Sequence, residues 1–181
     1  MAKVAAGISR LEDVAKDVAK RTGSACVELA LIFLPLFAVL FAFVDFSMPI
    51  FLRSTLQSAV RAGVRYAVTY QTGAGLGQDD SIRQVVQQNA LGLLDGSAGA
   101  ASITVDYYAP TDLTDQVTGA GSNAPGNVVE VSVSNYTWSW IAPLSAGFNP
   151  GFYSNSPLLI SVSSADRMEG LPADVLSPPA R

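Results

Sequence analysis

The sequence predicts an α+β protein with a long N-terminal transmembrane and amphipathic helix, a second helix and a small antiparallel sheet of three strands. An uncharged apolar run covers residues 29–44. In the residues that follow, apolar side chains recur every three or four positions, as in a helix. In the last third the apolar side chains alternate with polar ones, as in strands with one buried face. This order of elements places the helices on one face of the sheet.

The leader, residues 1–23, predicts a short amphipathic helix on the cytoplasmic side of a membrane. It carries five basic and three acidic residues, whereas the rest of the chain carries six and twelve. Such a basic excess favours the cytoplasmic side. Its apolar residues recur at spacings of three and four: Val4, Ile8, Leu11, Val14 and Val18. The alternative is a solvated N-terminus in front of a signal anchor.

The transmembrane helix is predicted over residues 24–52. As a helix, Val27 to Leu52 spans about 39 Å, enough to cross a hydrocarbon core with some tilt. Pro35 would break a helix in water. In lipid a single spanning segment must stay helical, so Pro35 predicts a kink instead. The end of the run offers no A-x-A site for an ordinary signal peptidase. We therefore expect the helix to be retained.

The extracytoplasmic domain is predicted over residues 53–169, beginning with a continuation of the helix. Leu56, Val60, Val64 and Val68 repeat every four residues and predict its buried face. The sequence places a polar stripe on another face, either solvated or in contact with lipid phosphates: Arg53, Gln57, Arg61 and Arg65. Ala62-Gly63 predicts close approach by a neighbouring element. The glycine-rich residues 73–77 are expected to end the helix.

The remaining elements follow from turn residues and periodicity. A second helix is expected from about Asp79 to Leu94 and is closed by residues 95–99. Strands are predicted where valines, isoleucines and leucines alternate with polar residues, at 103–108, 129–134 and 158–163. A change of parity before Tyr136, Trp138 and Trp140 predicts a bulge near Ser134-Asn135. We expect exposed loops over 109–127 and 142–157, and a flexible tail over 170–181.

Composition argues against an enzyme. The chain has no histidine, and therefore lacks the commonest general base and metal ligand. No catalytic triad, phosphate loop or metal-ligand spacing is present, so we expect no catalytic residues, cofactors or metal site. No basic patch follows the apolar run, so no nucleic-acid partner is expected. The single cysteine, Cys26, excludes an intramolecular disulfide and is expected to be inert in lipid, with lipidation as the alternative.

Three weaker candidates have ordinary structural explanations. Asp79 and Asp80 could bind a metal, but the positive end of a helix explains them. Asp112 and Asp115 lack the spacing of a calcium loop. The aromatic residues after the bulge could form a binding face, but packing on the sheet explains them better.

The residues that connect the leader to the apolar run are the main functional candidate. Gly23 is followed by Ser24, and Glu28 precedes the uncharged residues. A charge costs about 2.5–3.5 kcal/mol at the bilayer centre and less near an end, so intramembrane carboxylates are functional candidates. This pattern resembles the prepilin peptidase site of type IV pilin-like proteins, in which a basic leader ends in glycine and glutamate is the fifth residue of the mature chain. The resemblance implies cleavage between Gly23 and Ser24.

Three further segments are similar to the TadE/TadG-like family, the minor pseudopilins of the tight-adherence (Flp) pilus system: Ala30–Pro35, Ala59–Ala67 and Ser163–Glu169. Leu29 stands where the Flp pilin has tyrosine, and the chain is longer than that pilin. The greater length favours a minor subunit over the main filament protein. The resemblance implies a single-pass protein of the inner membrane with an extracytoplasmic domain. Its implied partners are a prepilin peptidase, other pilins and pseudopilins, the assembly platform and the lipid membrane.

Glu28 then has an assembly role. Cleavage creates an amine at Ser24, and a carboxylate one turn further along can pair with it in its own chain or in a neighbour. Such a pair is strong in a low dielectric and favours one axial register between helices. The alternative is an uncleaved single-pass envelope protein whose small domain binds a ligand or partner. In that protein Glu28 only marks the membrane boundary.

Overall fold

The computed structural model describes residues 2–140, 157–171 and 177–181, with side chains from residue 25 onward. The described elements are α1 (Ala2–Val68), α2 (Gln78–Asn89), α3 (Gly96–Ala101), β1 (Ile103–Ala109), β2 (Asp112–Gln116), β3 (Val128–Trp138) and β4 (Leu158–Arg167). The chain divides into two compact units, Met1–Asp45 and Phe46–Arg181.

The first unit consists, in its described residues, of the N-terminal part of α1. The helix continues through Pro35. Its large apolar side chains are mostly exposed, and three phenylalanines at spacings of four residues stack along it. The ring centroids of Phe33 and Phe37 lie 5.6 Å apart, and those of Phe37 and Phe41 lie 6.3 Å apart. An apolar helix with an unburied surface needs an apolar solvent or a partner.

In the second unit, α1 supplies one side of the core. Leu56, Val60 and Val64 are buried as their spacing predicts, whereas Arg61 and Arg65 are exposed. The helix ends at Val68, before the glycine-rich stretch expected to end it. Tyr70, at φ 56°, adopts the left-handed conformation that stops the helix. This stop is hard to predict, because tyrosine rarely takes that conformation.

The second helix is shorter than predicted. It ends at Asn89 rather than near Leu94, because Leu91 and Gly92 both adopt positive φ. The segment expected to close it instead forms the short helix α3. The Gln87 side chain connects α2 to the start of α3 by donating to the carbonyls of Leu94 (2.8 Å) and Gly96 (3.1 Å).

The sheet has four antiparallel strands in the order β2-β1-β3-β4. The three predicted strands are present, but the prediction of only three is wrong, because β2 lies inside the expected loop 109–127. Its sequence, Asp-Leu-Thr-Asp-Gln, has no buried face and therefore no alternation to detect. It forms because a tight turn at residues 110–111 folds it back onto β1.

The predicted bulge is confirmed. The register between β3 and β4 shifts between Val133 and Tyr136, and Asn135 has φ 59°. Before the bulge, Val129, Val131 and Val133 face the core, where they join residues of α1, α2 and β1. After the bulge, Tyr136 and Trp138 pack partly buried against the same core. The expected loop 142–157 lies outside the described residues except for its last position.

Candidate functional site

The N-terminal part of α1 has the composition of a membrane span. Among the described residues, Ala25–Val68 contains one stretch long and apolar enough to cross a bilayer, and that stretch is not buried inside the protein. The uncharged run begins directly after Glu28, which is exposed on the helix. These features agree with a single-pass membrane protein.

Gly23, Ser24 and Glu28 all lie within α1. The backbone is helical at 23 and 24, and no interruption separates the leader from the apolar run. On a helix, residues i and i+4 lie on one face with Cβ atoms about 5–6 Å apart. Ser24 and Glu28 have this spacing. An amine at Ser24 would therefore lie within reach of the carboxylate in the same chain.

Thr22, Gly23 and Ser24 form the weakest helical stretch between the leader and the apolar run. Glycine lowers helix stability by about 0.8–1 kcal/mol relative to alanine, and threonine and serine are also poor helix formers. A peptidase that cut here would need an extended backbone, so the helix would have to open locally first. By helix propensity, the helix should open most easily at the residues where the resemblance to prepilins implies a cut.

A second polar cluster, which the sequence analysis missed, lies at the start of α2. Residues 177–181 belong to the predicted flexible tail, whereas in the structure they lie against this helix. The backbone N–H of Gln78 donates to the Ala180 carbonyl at 2.7 Å. The buried Asn123 side chain donates to the Pro179 carbonyl at 2.9 Å and also to Gln78 Oε1.

Arg181 holds the end of this segment. Its guanidinium pairs with Asp79 at 2.9 Å, donates to Ser122 Oγ at 2.5 Å and lies 4.6 Å from the centroid of the Tyr107 ring. The Tyr107 hydroxyl donates to Asp79 Oδ1 at 3.0 Å. Burial, and then the negative charge of Asp79, raise the pKa of Tyr107 well above its usual value. No sequence signal reveals this cluster, since its members are far apart in the chain.

The weaker sequence candidates have local roles. Asp80 pairs with Arg83 at 2.9 Å, one helical turn away. Asp112 accepts hydrogen bonds from Thr114 N and Oγ1 at 2.9 and 2.7 Å, which lower the pKa of its carboxyl. Over the part of the chain that the structure describes, no group of three or more histidine, cysteine or acidic residues could hold a metal ion.

An open groove of about 1050 Å³ lies between the second-unit part of α1 and strand β4. Arg61 and Arg65 line it on the helix side, and Ser164 to Asp166 line it on the strand side. Among the described residues, neither arginine forms an ion pair. The groove therefore places two cations, Arg61 and Arg65, and two carboxylates, Asp166 and Glu169, beside the edge of the sheet.

The comparison with known families gives a match to the N-terminal segment. Residues 23–65 match the family model described as TadE-like protein. The matched region contains Gly23, Ser24 and Glu28 and ends before the sheet. No curated protein and no solved structure gives a significant match to the chain.

Proposed function

We propose that this chain, whose residues 23–65 form a TadE-like domain of the tight-adherence pilus system, is a minor pseudopilin-like subunit that a prepilin peptidase processes. The family is structural and pilus-associated. The observation that carries the proposal is the coincidence of two boundaries. The family match begins at Gly23, the residue after which the resemblance to prepilins implies cleavage.

The proposed sequence of events begins at the membrane. The basic leader stays in the cytoplasm, the apolar part of α1 crosses the inner membrane, and the α+β unit lies outside the cytoplasm. The peptidase opens the weak helical stretch and cuts between Gly23 and Ser24. The new amine pairs with Glu28 in its own chain or in an adjacent subunit. Because an unpaired charge is costly in lipid, this pair favours one register between neighbouring helices.

The processing step is tested by intact mass after coexpression with a prepilin peptidase. We expect loss of residues 1–23 and a new N-terminus at Ser24. Gly23→Leu, which adds a bulky side chain beside the scissile bond, should stay uncut, whereas the matched change Gly7→Leu within the leader should not prevent cleavage. A chain that keeps Met1 to Gly23, or is cut elsewhere, would refute processing.

The assembly role is tested separately through Glu28. Glu28→Ala should still be cleaved, but a deletion strain complemented with it should produce at least tenfold fewer pili by electron microscopy, since about 1.4 kcal/mol of register energy corresponds to that factor. Glu28→Asp, which keeps the charge, should recover part of the count. Unchanged pilus numbers with Glu28→Ala would refute the assembly role of Glu28.

A further inference from the structure

The second compact unit begins inside the predicted membrane span. It starts at Phe46, whereas the transmembrane helix is predicted to end at residue 52. Residues 46–52 of α1 therefore belong both to the predicted span and to the unit that contains the sheet. Any part of the sheet that packs against these residues lies close to the lipid that the helix crosses.

The exposed side chains of α1 change from apolar to polar at Arg53. Before it, Phe46, Ile50 and Phe51 are 65%, 70% and 52% exposed, as expected for side chains that face lipid. Arg53 is exposed and can reach the lipid phosphates. The preceding charged residue, Asp45, is buried and does not mark the surface. In a chain that spans a membrane, this change puts the bilayer surface near Arg53.

Trp140, two residues after the end of β3, packs against this apolar part of α1. Its ring meets that of Phe46 edge to face, with the ring centroids 6.4 Å apart. Phe46 precedes Arg53 by seven residues, which is a rise of about 10 Å along the helix, or about 8 Å at a tilt of about 40°. Both rises exceed the distance between the rings. Trp140 therefore lies on the lipid side of Arg53, whichever direction it takes from Phe46.

The chain around Trp140 is free of charge. Residues 131–165 contain no acidic or basic residue, although 14% of the whole chain is charged. In the described part of this stretch, Trp138 at the end of β3 pairs with Leu158 at the start of β4. The next residue, Leu159, is 57% exposed. Charged residues are costly in lipid whereas tryptophan favours the interface, so this composition fits contact with a bilayer.

We propose that this end of the sheet, formed by Trp138, Trp140 and Leu159, is a lipid-binding surface in the interfacial layer of the membrane that α1 crosses. This contact requires the membrane span of the proposed function, but neither removal of the leader nor pairing by Glu28. It does not depend on how the two compact units are oriented. Phe46 belongs to the same unit as the sheet and follows the first unit directly along the chain.

The opposite end of the sheet provides an internal control. Strand β2 pairs with β1 beside Tyr108, whose partner on β3 is Val128. Ten residues separate Val128 from Trp138, which is about 30 Å of strand. Each interfacial layer of a bilayer is only about 5–8 Å thick. Leu113 on β2, 62% exposed, therefore matches Leu159 in exposure but lies outside the proposed surface.

Tryptophan fluorescence tests the contact, because Trp138 and Trp140 are the two tryptophans of the chain. The full-length chain with Trp138→Phe is reconstituted into phosphatidylcholine vesicles that carry a nitroxide near the headgroup or near the middle of one acyl chain. We expect the shallow nitroxide to quench Trp140 by about half and the deep one by less, since indole rings favour the interface. Iodide on both sides of the membrane should quench it weakly. The unmodified chain should show the same order, so the test does not depend on the folding of the variant.

The matched control moves the fluorescent residue to the far end of the sheet. With both native tryptophans replaced by phenylalanine, Leu113→Trp should be quenched by iodide and by neither nitroxide. Equal lipid quenching of Leu113→Trp and of Trp140 would overturn the proposal, because the contact would not be specific to one end of the sheet.

The other outcomes separate water, protein and lipid around Trp140. Strong quenching by iodide would mean that water surrounds the ring, and quenching by neither iodide nor nitroxide that the protein itself covers it. Stronger quenching by the deep nitroxide would place the ring in the bilayer interior. Each of these results would overturn the proposal.

Carbonate extraction of the same vesicles tests the membrane span separately. Release of the chain would refute the span, and with it both the proposed function and the lipid contact of the sheet. A chain that stays in the vesicles while the nitroxides leave Trp140 unquenched would refute the lipid contact alone.

Discussion

At the scale of single residues, the sheet carries one unfavourable pair of charges. Asp106 on β1 lies opposite Glu130 on β3. Burial, and then the charge of Glu130, raise the pKa of Asp106 above its usual value, although a hydrogen bond from Gln116 acts in the other direction. Because the pKa of Asp106 is raised in the folded state, its ionised form lowers the stability of the fold. This loss of stability is present at neutral pH and disappears as the pH falls through the folded-state pKa.

The variant Asp106→Asn should remove this cost. Like charges directly opposite on a sheet are unfavourable, and cross-strand pairs contribute roughly 0.2–1 kcal/mol. We expect the variant to be more stable than the wild type at pH 7 by an amount near the lower end of this range. The advantage should vanish at acid pH, where Asp106 is protonated and therefore neutral in the wild type. Thermal unfolding in detergent, followed by near-UV circular dichroism at several pH values, measures it.

Two outcomes would contradict this interpretation. A gain that persists below the pKa of Asp106 could not come from its charge. A loss of stability at pH 7 would mean that the hydrogen bond from Gln116 outweighs the repulsion. Asp166→Asn, on β4 with Val129 rather than an acid opposite it, is the matched control and should show no such gain.

At the scale of elements, the contact between α1 and α2 depends on the absence of a side chain at Gly63. The sequence predicts a close approach at this position, and the structure confirms it. A Cβ added at Gly63 would lie 2.5 Å from Val86 Cγ2 and 3.5 Å from Ile82 Cγ2. Both neighbours are fully buried and β-branched, so they cannot rotate away easily.

Gly63→Ala should therefore destabilise the second unit. Overpacking costs typically about 1–3 kcal/mol, and the higher helix propensity of alanine offsets about 1 kcal/mol of it. Added to a chain that already carries Val86→Ala, the same change should be neutral or stabilising, because the clashing methyl group is gone. Equal changes in stability in both backgrounds would show that the contact with Val86 is not what Gly63→Ala disturbs. Thermal unfolding of the four chains completes the double-mutant cycle.

The elements predicted correctly from sequence are those with a buried periodic face. The buried stripe of α1, strands β1, β3 and β4, and the bulge at Asn135 all follow from the spacing of apolar residues. Strand β2 has no apolar face, and the end of α1 depends on an unusual conformation of Tyr70. Neither leaves a periodic signal. The pattern of Gly23 and Glu28 was visible because all of its parts are adjacent in the chain.

At the scale of the whole molecule, residues 177–181 connect segments that are far apart in sequence. Arg181 contacts Asp79 of α2, Tyr107 of β1 and Ser122 of the loop that precedes β3. Long-range contacts of this kind are invisible to periodicity. Residues 177–181 also provide a partner for a buried polar group of the second unit. The buried side chains of Gln78 and Asn123 are hydrogen-bonded to each other, and Asn123 also donates to the Pro179 carbonyl of this segment.

The two adjacent aspartates at the start of α2 allow the contribution of residues 177–181 to stability to be measured. Both lie in the first turn and interact equally with the helix dipole, worth about 0.3–1 kcal/mol. Only Asp79 is largely buried, with 13% of its side chain exposed against 65% for Asp80. We expect Asp79→Asn to cost about 1.5–3 kcal/mol, as for hydrogen bonds to charged groups, and Asp80→Asn less than about 1 kcal/mol.

Hydrogen exchange should localise the difference. With Asp79→Asn, amides at the start of α2 and in the loop at 119–123 should exchange faster together, because both lose the anchored Arg181, whereas the β3 core should keep its protection. Arg181→Ala should reproduce this pattern, and Asp80→Asn should not. If the two aspartate variants lose equal stability, the helix dipole accounts for both, and the ion pair with Arg181 does not hold the segment in place.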